Sequence, residues 1–107
     1  MSDSAKEQKE VRFRNAVRKA VAELLSVSEA SCGNVIAEQC HRVAVEIGNM
    51  LAPQVYGNRV HGVGNAVSVC VRHCSEALFW LDMTQDKPDN VVQAVEELLQ
   101  CLSTPTL

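Results

Sequence analysis

The sequence predicts an all-α protein, an antiparallel up-down-up-down four-helix bundle, from three observations. Apolar residues recur at alternating spacings of three and four in four separate stretches, turn-forming segments divide those stretches, and no stretch alternates as a strand would. A chain of 107 residues makes one domain, spanning 1–107, with helices expected at about 5–27, 34–52, 58–83 and 88–103.

The first helix is expected to turn Phe13, Val17, Ala20, Leu24 and Val27 inward, with Ala16 and Val21 widening the stripe. Residues 28–33 combine Ser, Cys and Gly and are read as the loop that ends it. The second helix starts near Asn34 and carries Ile36, Cys40, Val43, Ile47 and Met50 inward, flanked by Ala37, Ala44 and Leu51. It is expected to stop or kink before Pro53, which has no amide hydrogen and restricts Ala52.

The third helix has the longest seam, through Val60, Val63, Val67, Cys70, Cys74, Ala77 and Leu81. Its opposite side carries Val69, Phe79 and Met83 with Trp80 beside them, and one bundle core cannot bury both sides. These four residues are therefore the expected interface of a protein that associates with copies of itself or with a protein partner. A turn follows, with Pro88 suited to the first position of a last helix. That helix turns Val91, Val95, Leu98 and Leu102 inward beside Val92 and Leu99, and ends before Pro105.

Apolar residues make up 47% of the chain but aromatics only 4%, so small and medium side chains must fill the core. Residues 57–71 are interrupted by Asn58, Arg59, His61 and Asn65, far short of the roughly 20 apolar residues that span a bilayer. No contact with a membrane is expected. The polar, mixed-charge start MSDSAKEQKE lacks a secretory pattern, which points to the cytoplasm. Five cysteines, an odd number lying mostly in helical patterns, read as reduced thiols in keeping with that compartment.

The net charge of −3 is unevenly placed. Residues 1–27 hold six cations against four acids, whereas the chain after His73 holds Lys87 against six acids. Lys9, Arg12, Arg14, Arg18 and Lys19 could meet nucleic-acid phosphates, although charges on the outer side of a surface helix are ordinarily just solvated.

Two stretches carry a resemblance. Residues 42–52, RVAVEIGNMLA, resemble the second-helix signature of the small four-helix-bundle proteins encoded by intervening sequences in ribosomal RNA genes. Their relatives, the accessory variability determinants of diversity-generating retroelements, share that bundle. Residues 76–81, EALFWL, are similar to the end of the third helix in the same proteins. The resemblance implies a ring-like homo-oligomer and, for the retroelement relatives, binding to a reverse transcriptase and nucleic acid through a strongly basic surface.

Two constellations bear on chemistry. In an antiparallel bundle Cys40, Cys70, Cys74 and Cys101 fall near one level, where four thiolates could hold zinc or a softer metal. Buried cysteine is the simpler reading, since free Cys behaves as a small hydrophobe, and no cofactor is expected. His61, with Asn65 one turn on, resembles the phosphoacceptor box of some sensor kinases, in which an exposed imidazole attacks phosphorus. There is no serine–histidine–aspartate set at recognisable spacing and no glycine-rich phosphate loop. The expected function is thus non-catalytic: a self-associating accessory or scaffold protein acting through protein contacts. Nucleic-acid binding through the basic first helix and phosphotransfer through His61 are the alternatives.

Overall fold

The computed structural model of the chain describes residues 2–56 and 63–103. Four long helices and one short one follow in order: α1 (Ser2–Leu25), α2 (Glu29–Cys32), α3 (Asn34–Tyr56), α4 (Val63–Asp82) and α5 (Asp89–Ser103). The described residues contain no strand. Helix α1 packs on α3 and α5, and α4 packs on the same two, so the long helices close a ring around one core while α2 rests on α3.

The core is built of small side chains, as the composition requires. Ala20, Leu24, Cys40, Val43, Ala44, Ile47, Leu51, Cys70, Cys74, Ala77, Leu81, Val95 and Leu98 have no exposed surface. On α3 the inward side is rotated slightly from the expected one: Ala37, Ala44 and Leu51 are buried, whereas Ile36 and Met50 are only partly so. Small alanines let α3 approach its neighbours closely, which draws the helix round toward them.

Residues 28–33 are not a plain loop. Ser28 is extended and its hydroxyl accepts the Ser31 amide at 3.3 Å, capping the single turn α2. Gly33 ends that turn at φ 90°, ψ 161°, a region open essentially to glycine alone, and donates its amide to Glu29 at 2.8 Å. Serine before a glutamate, with glycine four residues after that glutamate, is the signal that could have revealed α2.

Pro53 does not end α3, which continues to Tyr56. Asn49 and Pro53 are exposed, so water can serve the carbonyl that loses its amide partner, while buried Leu51 and Val55 hold the last turn to the core. Helix α1 begins at Ser2 and ends at Leu25, a little earlier at both ends than expected. Helix α5 begins at Asp89, with the Pro88 carbonyl accepting the amides of Val91 and Val92, so Pro88 stands one place before the first helical residue. The expected start of the third helix at 58–62 lies outside the described residues.

One tie was not legible in the sequence. The His41 Nε2–H donates to the Val27 carbonyl at 2.7 Å, fastening α3 to the chain that leaves α1. A carbonyl can only accept, so the hydrogen is on Nε2.

Candidate functional site

Helix α4 presents Asn65, Ser68, Arg72, Ser75, Phe79 and Asp82 to solvent at spacings of three and four, and Met83 follows at the exposed turn after it. Its inner side, from Cys70 to Leu81, is closed off completely. Phe79 lies in the last turn of α4 and is 55% exposed, with Met83 just beyond the helix at 54%. Trp80 is half-buried beside Phe79, their rings 5.3 Å apart and crossed at 81°. An edge-to-face pair of this kind limits the rotamers of Phe79 and holds its ring outward. Val69 is half-buried, and His73 and Glu76 come between it and Phe79. The four expected interface residues thus form two groups: Val69 by itself, and Phe79, Trp80 and Met83 together.

The polar groups between them are engaged with one another. The Arg42 Nη1 meets Glu46 at 2.9 Å, its Nη2 meets Glu76 at 3.5 Å, and its Nε donates to Gln39 at 3.1 Å. The His73 Nδ1–H faces both carboxylates, at 3.0 Å from Glu76 and 3.2 Å from Glu46. This cluster joins α3 to α4 and leaves neither carboxylate without a cation. Its ion pairs are largely solvated, so each adds at most about 1 kcal/mol.

The basic residues of α1 do not make one stripe. The Arg12 guanidinium donates to Glu97 at 2.9 Å and to Gln100 at 3.3 Å, crossing from α1 to α5. The hydrogen bond to Glu97 is the chief reason its pKa rises above the usual arginine value. Arg12 and Lys19 line an open groove between α1 and α5 together with Glu7 and Glu97, so the groove is mixed in charge. Arg14 and Arg18, one turn apart, are exposed outside that groove, as is Lys9.

The thiols also divide. Burial pushes Cys40 and Cys70 up to about 11 and Cys74 up to about 12, so all three are protonated at neutral pH. Cys40 is influenced by Cys32, Cys74 by Cys70, and Cys101 by Arg12 and Glu97 at the α1–α5 edge. Among the described residues no three His, Cys, Asp or Glu side chains are grouped to hold a metal ion. The apolar surroundings suit thiols and disfavour thiolates, the form a metal would need.

His61 lies outside the described residues, so its place relative to Asn65 is not part of this site. No helix among the described residues is long and apolar enough to cross a membrane. Compared with known proteins, the chain matches no family model, no curated protein and no solved structure.

Proposed function

We propose that this chain is a non-catalytic, self-associating accessory protein of the cytoplasm that works through protein contacts on the outer side of α4. The observation that carries the reading is the exposure of Phe79 and Met83 beside Trp80, on a helix whose other side is already closed into the core. Large apolar side chains grouped in the open are stable in water at a cost that a partner surface removes. Val69 adds a second, smaller contact on the same helix. The resemblance to the rRNA intervening-sequence and retroelement accessory proteins agrees with this role.

The four long helices are proposed to alternate in direction, up-down-up-down. Cross-helix pairs support this arrangement. Arg42 meets Glu76 while Glu46, farther along α3, meets His73, which is earlier on α4. Between α1 and α5, Arg12 meets Glu97, whereas Glu23 and Ser26 share a surface hollow with Asp89 and Asn90.

Light scattering coupled to size-exclusion chromatography tests the proposal. The reduced protein is expected to exceed its monomer mass of 11.7 kDa, and Phe79→Asp to lower the assembly with helix content preserved. An assembly unchanged by the substitution would move the interface away from α4. A loss of helicity would assign Phe79 to the core.

A further inference from the structure

Resting on that reading of α4, we infer that its partner is the outer side of α1 on a second copy of this chain, so that copies join by unlike faces, basic on acidic. Among the described residues the large apolar side chains left in the open fall on two sides of the bundle, with Tyr56 at the far end of α3. Val11 and Leu25 are on α1, whereas Val35, Val45, Phe79 and Met83 are on α3 and at the end of α4. The outer side of α5 is polar, with Gln93, Glu96, Gln100 and Ser103 exposed there. An apolar contact between copies therefore has two faces to draw on.

On α1, Val11, Arg14, Arg18, Ala22 and Leu25 are all exposed and follow at spacings of three, four, four and three, which sets them along one side of the helix. On the other face, the ion pair of Arg42 with Glu76 sets the level of α3 against α4. Val35 is two turns before Arg42, and Met83 is seven residues after Glu76, its amide donating to the Trp80 carbonyl at 3.1 Å. With α3 and α4 running in opposite directions, as proposed above, Val35 comes level with the Phe79–Met83 end of α4. Glu38 lies between Val35 and Arg42 on the same side of α3.

Charge selects the pairing of these faces. Arg14 and Arg18 make no ion pair among the described residues, and neither does Glu38 on α3 nor Asp86 in the turn after α4; all four are exposed. The cations nearest the apolar end of α4 are already committed, Arg42 to Glu46 and Glu76 and Lys87 to Asp82. Arg72, which makes no ion pair among the described residues, lies two turns before Phe79, away from Glu38. Docking α1 on α1 would crowd four arginines into one contact, and docking the α4 end on itself would bring the unpaired acids of both copies together. Arginines beside Val11 and Leu25 instead meet acids beside Val35, Phe79 and Met83, apolar on apolar and opposite in sign. Such a contact is heterologous: each copy gives one face and keeps the other for a further copy.

The test is complementation, read by sedimentation equilibrium over a range of protein concentrations. Arg14→Glu with Arg18→Glu disables the α1 face alone, and Phe79→Asp disables the α4 face alone. Each variant by itself is expected to associate at least about tenfold more weakly than wild type. Mixed in equal amounts they are expected to form a one-to-one complex that grows no further, because one intact face remains on each. Circular dichroism checks that helix content stays at the wild-type level, and Arg14→Gln with Arg18→Gln replaces the glutamate pair if it does not. An arginine variant that assembles like wild type while Phe79→Asp does not would overturn α1 as the partner and leave the reading of α4 standing. A mixture that stays as two separate monomers would overturn the pairing of unlike faces in the same way. A wild-type monomer at every concentration would overturn this inference and the self-association beneath it.

Discussion

Along α4, Cys70, Cys74, Ala77 and Leu81 have no exposed surface, while Arg72, Phe79 and Met83 on the other side stand largely in water. The two sides obey different rules. On the inner side every position is filled by a side chain small enough to pass between α3 and α5, and volume alone decides what is tolerated. On the outer side no neighbouring helix limits volume, and Phe79 is held only by its edge-to-face contact with Trp80. Apolar content by itself does not separate the two, because Leu81 and Phe79 are similarly hydrophobic; what separates them is whether the neighbouring helices cover them.

The largest effect expected is on the inner side. Leu81→Ala should lower the unfolding free energy by about 2–5 kcal/mol, since a fully buried leucine leaves a cavity. Denaturant titration monitored by circular dichroism measures it, and a loss below about 1 kcal/mol would mean that α4 is loosely packed.

The thiols give a second measure of the same side. Their folded pKa values of about 11, 11 and 12 lie above the ordinary cysteine value of 9.0. Up to that ordinary value both states carry protonated thiols and the full stability is present. Between it and the folded values the unfolded chain sheds protons that the folded chain keeps, so stability falls as pH rises. Each thiol contributes a slope of up to about 1.4 kcal/mol per pH unit in that window. Urea titrations at pH 8 and pH 10.5 should show the decline, and Cys74→Ala should reduce its slope by about one thiol's share. An identical slope in the variant would mean that water reaches Cys74.

The contrast extends to α3. A Cβ built on Gly48 meets nothing within 4 Å, so Gly48→Ala should gain helix propensity without a clash and stabilise the protein by about 0.5–1 kcal/mol. Thermal melts compare the two, and a fall in Tm would show that α3 needs flexibility there. The smallest effect is reserved for the outer side of α4. Phe79→Ala should change the unfolding free energy of the monomer by less than about 0.5 kcal/mol while weakening association, measured by denaturation at high dilution.

Much of this was legible from the residues alone. The seams through Leu24, Ile47, Leu81 and Leu98 announced themselves by spacing, and so did the exposure of Phe79 and Met83, because a helix shows its period in one dimension. Helix α2 was missed because a single turn is too short to display any period. Pro53 misled because its local preference opposes a helix, and only burial of Leu51 and Val55 on the far side carries α3 past it. The basic residues of α1 read as one group along the chain, yet Arg12 is engaged with Glu97, a partner 85 positions away.

By itself, then, the sequence determined the helical class, the main inward stripe of the long helices apart from the rotation of α3, the small-residue core and the apolar surplus on α4. Those properties depend on residues within a turn or two of one another, where backbone geometry dictates which side chains share a side. The tertiary structure alone decided how far α3 runs, that His41 fastens it to the Val27 carbonyl, and that Arg42, Glu46, His73 and Glu76 meet across α3 and α4. It also decided which cations make no ion pair among the described residues, Arg72 among them. Each of these depends on groups brought together across the fold, and their meeting is set by how four helices pack, a relation that spacing along one chain does not contain.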